Sequence, residues 1–202
     1  MTEVPQADPP PRLGLPVLPT DLGLRTRRLR LEPVTRADAD ELRSLHADPE
    51  LFRFTGRPRH LDRGLDAWLA HQETRRSPTG AALWLTWLLR DVDGGSALGQ
   101  VQATVVVGED GPQAELSWLL ARAAQRRGLA IEATTGLVEW LVRRVGVRRL
   151  SAHIPDGHTA SEQVAARLGL AASGDHLDGE QLWSSTTGPG GRTAPGVDHP
   201  GG

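Results

Sequence analysis

The spacing of apolar positions changes several times along this chain, and each change marks an element. Residues 28–33 (RLRLEP) set Leu29 and Leu31 against Arg28, Arg30 and Glu32, the alternation of a half-buried strand. Thr35-Arg36-Ala37-Asp38 follows as a capping box, predicting a helix that runs to about Ala47 and stops at Asp48-Pro49. Leu61, Leu65, Trp68, Leu69 and Gln72 recur at helical spacing and predict a second helix over 61–76. Two strand-like runs, 82–90 and 97–107, are joined by the turn signal Asp93-Gly94-Gly95. A second turn, 108–112, leads to a strand at 114–120, completing an antiparallel meander. Helical spacing returns over 129–145, where Arg143 and Arg144 suit the helix dipole and Gly146 suits the position just past the end. A strand over 148–154 comes next. The box Thr159-Ala160-Ser161-Glu162 then opens a helix ending at Leu168-Gly169, and a last strand fits 181–185.

The predicted order is β, α, α, β, β, β, α, β, α, β. The unit of strand 114–120, helix 129–145 and strand 148–154 implies a parallel pair in an otherwise antiparallel sheet. The expected fold class is therefore α/β (α+β): one mixed, mostly antiparallel central sheet flanked by about four helices.

Composition bounds the domain. Residues 1–20 hold six prolines and 187–202 are mostly Gly, Pro and polar. Such segments bury too little apolar surface to offset ordering, so both are expected to be disordered tails around a domain at 21–186. There is no cysteine, which excludes disulfides, thiolate nucleophiles and Cys-ligated zinc and fits a cytoplasmic location. The start MTEVPQADPPPR lacks the basic and apolar parts of a signal peptide. The near-apolar run from Ala81 to Leu89 is a strand's length and far short of a membrane span, so no membrane partner is expected. All 23 basic residues are Arg, but net charge is −2 and no basic face is evident, so nucleic acid is not an expected partner. No metal site is expected either.

The turn Gln125-Arg126-Arg127-Gly128-Leu129-Ala130 joins a strand to a helix. Glycine there permits close approach of a ligand, and the unpaired N–H groups of the helix start form an anion site. Strand–loop–helix units occur in every α/β fold, so the turn alone does not decide the function. It lacks the lysine of a Walker loop and the GxGxxG pattern.

The stretch AELSWLLARAAQRRGLAIEAT resembles the acetyl-coenzyme A signature of the GNAT acetyltransferase superfamily, Q/R-x-x-G-x-G/A, with Gln125, Gly128 and Ala130 matching. LRTRRLRLEPVTRADADELRSLHADPELFRF and HTASEQVAARLGL are similar to the opening segment and closing helix of the ribosomal-protein alanine N-acetyltransferase branch. The resemblance covers about residues 24–185. It implies a GNAT-like sheet with a splay between strands 114–120 and 148–154. Acetyl-CoA would lie there as co-substrate, contacting Trp118, Leu119, Leu120, the turn from Gln125 through Arg126, Arg127, Gly128, Leu129 and Ala130, then Ile131, with His158 and Ser161 at the arm. A main-chain N–H near Trp118 or Leu119 would polarise the thioester carbonyl.

Direct transfer to an amine requires a base for the ammonium and an acid for the departing thiolate. Tyrosine, the acid of some members, is absent. The resemblance points to Ser161 as the acid, with capping of its helix as the alternative. It points to Glu115 as a base through water, with a solvated strand position as the alternative. His153 on the facing strand is a second candidate base. Relatives usually carry Asn where this chain has His158, and Leu170 stands in place of a usual Phe. The expected activity is N-acetylation of a primary amine, on a protein N-terminus or a small molecule, by a monomer or homodimer. The alternative is a non-catalytic acyl-CoA-binding module. Residues 48–80 and 173–179 would set acceptor choice, and the tryptophans at 68, 84, 87 and 118 read as core.

Overall fold

The alternation at residues 28–33 becomes strand β2 (Leu29–Pro33), with Leu29 and Leu31 fully buried, in a computed structural model described over residues 14–58, 61 and 64–185. A two-residue strand β1 (Leu24–Arg25) precedes it. Helices α1 (Ala39–Leu45) and α2 (Leu65–Thr74) follow, then the meander β3 (Leu83–Asp91), β4 (Gly99–Gly108) and β5 (Gly111–Leu120). Helix α3 (Leu129–Trp140) runs into a π-helical turn, Leu141–Val145, closed by Gly146 in a left-handed conformation. The chain ends its described part with β6 (Arg149–Pro155), α4 (Thr159–Arg167), β7 (Leu170–Leu177) and β8 (Glu180–Ser185). All eight strands lie in one sheet of order β1-β2-β3-β4-β5-β6-β8-β7. Every neighbouring pair is antiparallel except β5 and β6. The expected fold class is the observed one.

Strand alternation sorts the side chains onto two faces. Leu83, Leu85, Trp87 and Leu89 of β3 join Val101, Ala103 and Leu116 under Leu129, Ala133 and Leu137 of α3. Leu88 faces the other way, onto Val34, Leu42, Leu45, Leu65, Trp68 and Leu69 of the α1–α2 layer. β3 is thus covered on both faces, which is why its sequence reads as one apolar run. Arg90 at its end gathers Glu32 (2.7 Å), Asp38 (3.2 Å) and Glu41 (2.6 Å), tying β3 to β2 and to α1. That guanidinium holds the Glu41 carboxyl below its ordinary range.

Several sequence boundaries move. The Thr35 box forms, with the Thr35 N–H donating to Asp38 Oδ2 at 2.8 Å, but it caps a 3-10 turn that leads into α1. The second helix begins only at Leu65, because Gly64 and Arg75, both left-handed, bracket it. The turn expected over 108–112 shrinks to Glu109-Asp110, and Gly111 and Pro112 join β5 opposite Gly108 and Val107. The box at 159–162 does not form; His158 caps α4 instead. Strands β1 and β7 were not expected. β7 is exposed beyond Leu170 and mixes Ala and Leu with polar residues, so its pairing with β8 leaves no apolar alternation to read. Residues 14–20, placed by composition in the first tail, run without regular structure, and Leu15 and Leu18 pack against the core. The remainder of that tail and the segment 187–202 lie outside the described residues. Among the described residues no helix is long and apolar enough to cross a membrane.

His46, at the end of α1, is 3% exposed and donates from Nδ1 to the Leu42 carbonyl at 2.8 Å. Burial pushes its pKa down to about 4. The neutral ring is the native one, so its stability is complete above the ordinary value of about 6.5 and lost as pH falls toward 4. The loss amounts to about 3 kcal/mol at 1.36 kcal/mol per unit. Urea unfolding of the wild-type protein should lose that much across this window. A His46→Phe variant should lose measurably less, and parallel profiles would contradict the assignment.

Candidate active site

β5 and β6 pair at Gln113↔Arg149, Ala114↔Leu150 and Glu115↔Ser151, and then stop pairing. β5 continues to Leu120 and β6 to Pro155, so the sheet opens into a gap. The β4–β5 register stays unbroken, which keeps side-chain alternation intact through the gap. Glu115, Ser117 and Leu119 therefore point to the α1–α2 face, and Leu116 and Trp118 to the α3–α4 face.

Glu115 and His153 meet where the strands part. His153 Nδ1 lies 3.0 Å from Glu115 Oε1, with both side chains largely buried. The hydrogen bond to Glu115 raises the His153 pKa against the opposing effect of burial. The two residues, read separately in the sequence, form one pair. The pair sits at the end of β5–β6 pairing because Ser151 is opposite Glu115 and His153 is the next residue on that face.

His153 lines a cavity of about 220 Å³ on the α1–α2 side. The cavity also brings together Trp118, Leu119, His158 and Ser161 of the predicted set. Residues that the sequence did not single out for the site complete it: Gln100 and Gln102 from β4, Ser117 from β5, and His46, Phe52 and Phe54 from the segment after α1. β4–β5 pairing puts Gln100 beside Leu119 and Gln102 beside Ser117, so strand alternation was the available signal for these two.

His158 accepts a hydrogen bond from the Ser161 N–H at Nδ1, 3.2 Å away, and so caps α4. This is the task at which Asn side chains excel. Burial lowers the His158 pKa, in keeping with a neutral ring whose Nδ1 lone pair accepts. Phe54 stands edge-on to that ring at 4.4 Å, and the Arg53 guanidinium lies 4.7 Å above Phe54. Ser161 reaches the cavity with its backbone engaged by this cap.

The Gln125–Ala130 turn lies apart from this cavity, at the N-terminus of α3. Gln125 Nε2 donates back to the Leu120 carbonyl at 3.0 Å, closing the loop. Arg126 (φ +60°) and Gly128 (φ +72°) both adopt left-handed backbone, and Gly128 is the helix N-cap. Leu120 and Leu129 are buried in the core, so at the site they offer backbone alone; Ala130 and Ile131 are half-buried in the first turn. Arg126 and Arg127 are exposed.

A sheet opened between a parallel pair, with a glycine-started helix beside it, is the arrangement that the resemblance implied. The family model described as "Acetyltransferase (GNAT) domain" matches residues 28–171, and the chain belongs to that family. Among solved structures it is similar to a GnaT-family acetyltransferase from Bordetella pertussis, at 26% identity and TM-score 0.60, covering 82% of this chain and 99% of that one. The ribosomal-protein-S5-alanine acetyltransferase from Vibrio fischeri gives TM-score 0.68 at 15% identity, covering 82% and 96%. RimJ from Mycobacterium smegmatis, in complex with CoA-disulfide, gives 0.61 at 20% identity, covering 80% and 84%. No curated protein matches the chain.

The raised pKa of His153 means that the ion pair stabilises the fold fully below about 6.5 and fades as pH rises through the raised value. Glu115→Gln removes the anion that holds this proton. The His153 titration midpoint, followed by NMR of its ring protons, should fall; an unmoved midpoint would show that the pair does not control it.

Proposed function

We propose that this protein transfers an acetyl group from acetyl-CoA to a primary amine, with His153 as the base and Glu115 as the group that orients it. The observation that carries the reading is the Glu115–His153 pair at the mouth of the strand gap, beside a cavity open to the acceptor. With Glu115 at Nδ1, Nε2 is the nitrogen assigned to take a proton from the acceptor ammonium. A base whose pKa a carboxylate partner raises is a stronger proton acceptor, which suits such a transfer. The freed amine attacks the thioester carbonyl carbon, and the tetrahedral intermediate collapses with release of the CoA thiolate. The thiolate takes up the second proton lost from nitrogen, with the Ser161 hydroxyl, at the cavity wall, as the relay.

Backbone geometry supports an oxyanion donor. The Pro112 carbonyl accepts from Arg148 N at 2.8 Å, and the Leu120 carbonyl accepts from Gln125, so even-numbered residues of β5 turn their polar groups away from β4. By alternation the Trp118 N–H points into the gap, and the Leu119 N–H toward β4. Of the two expected donors, this favours Trp118. The pyrophosphate would rest on the turn from Arg126 to Ala130, where the first amides of α3 are open. The relatives described as bound to CoA or to acetyl-CoA support this use of the fold.

The acceptor is read as a single primary amine, on a peptide N-terminus or a small molecule. Supplied with acetyl-CoA and a panel of both, the wild-type protein should release free thiol. His153→Gln should cut kcat by about 10²–10⁴-fold, the usual worth of a positioned base. Because the base must be neutral, the rate should rise with pH through the His153 midpoint, and Glu115→Gln should move that limb to lower pH. CoA should raise the melting temperature, and Gly128→Trp should abolish the rise. Binding without thiol release across the panel would establish a non-catalytic CoA-binding module instead.

A further inference from the structure

Arg28 lies away from the cavity, in the bend just before β2, yet its guanidinium reaches the turn before α3. Nη1 donates to the Arg127 carbonyl oxygen at 3.0 Å. The same side chain is anchored by Nε, which donates to Glu132 Oε2 at 2.6 Å. The Arg28 backbone N–H and the Thr26 hydroxyl both donate to Glu132 Oε1 at 2.7 Å. Thr26 itself is pressed against α3: a Cβ at Gly136 would fall 2.8 Å from Thr26 Cγ2. One carboxylate and one close contact thus lock the β1–β2 turn onto the first turns of α3, leaving Nη1 to hold the Arg127 carbonyl.

That hold has a directional consequence. In a planar trans peptide the carbonyl and the following N–H point in opposite directions. Fixing the Arg127 carbonyl toward Arg28 therefore aims the Gly128 N–H away from Arg28. Arg126 and Gly128, on either side of Arg127, both have left-handed backbone, a conformation used in anion-binding nests of N–H groups. Left alone, the peptide between Arg127 and Gly128 has a flexible glycine on one side and could rotate. Arg28 also cancels the charge of Glu132, a carboxylate in the helix's first turn that would otherwise repel a phosphate arriving there.

We propose that Arg28 is a positioning residue for the pyrophosphate of the donor, setting the direction of the Gly128 N–H through the Arg127 carbonyl; this rests on the reading of the 125–130 turn as the CoA site. Arg28 need touch no ligand atom to do so. A fork is required, because Nε must serve Glu132 while Nη1 serves the carbonyl, and a lysine head cannot span both in this geometry.

The test uses the full chain and two ligands, CoA by calorimetry and pantetheine, which lacks the pyrophosphate, by NMR titration at millimolar concentration. Arg28→Gln should raise the CoA Kd tenfold or more and leave the pantetheine Kd within twofold of wild type. Arg28→Lys keeps the ion pair with Glu132 and hence the fold, and should show the same selective loss. CoA binding at wild-type strength in Arg28→Lys would mean that charge alone is needed, and would overturn the positioning role. Equal losses for both ligands would overturn it too, as the mark of general structural damage. Failure of the wild-type protein to bind CoA would overturn the underlying reading and the proposal together.

Discussion

The parting of β5 and β6 is the constraint from which the rest of the site follows. Two parallel strands that pair for three residues and then diverge leave main-chain donors and acceptors without their ladder. Unpaired backbone groups inside a protein cost free energy unless water or a ligand satisfies them. The gap is therefore a place where a ligand rich in amides and carbonyls gains hydrogen bonds that the sheet has given up. It also connects the two faces, since β5 carries Glu115 and Ser117 on one side and Trp118 on the other. Everything proposed for the chemistry lies at this opening or at the helix start beside it.

Two rigid frames hold the opening. On the α1–α2 face, Arg90 collects three carboxylates and fixes the helical layer over β3, which positions His46 and Phe52 above the cavity. On the α3 face, Glu132 collects donors from the β1–β2 turn and fixes the helix start. Each frame joins segments far apart in the chain through one charged centre with several partners, the arrangement in which ion pairs hold geometry best. The cavity lies between the frames, and its polar floor comes from strand residues whose direction is set by alternation alone.

Much of this was legible in the sequence. Leu29 and Leu31, the helical spacing over 129–145, the double glycine after Asp93 and the turn at 125–130 each encode a local rule that the fold obeys. The strand–helix–strand unit was enough to imply the parallel pair. What escaped was of three kinds. β1 and β7 are made by backbone pairing with no apolar alternation, as in the exposed run Ala171–Leu177. The Glu115–His153 bond, the Arg28 clamp and the place of Phe54 beside His158 are contacts between distant segments, and no local pattern carries them. His158 shows a third limit: Thr159 has the better capping residue type, yet the imidazole one position earlier takes the N–H because the chain turns there.

The strand order carries one last consequence, for synthesis. β8 lies between β6 and β7, paired with β6 from Ser151↔Ser184 to Pro155↔Glu180 and opposite His153 through Leu182. The strand that bears His153 is thus hydrogen-bonded on its far side by the last described element to leave the ribosome. Until that segment emerges, β6 has a three-residue grip on β5 and an open edge. A nascent chain can pair its meander earlier, but the opposed walls of the gap take shape only once β8 has emerged.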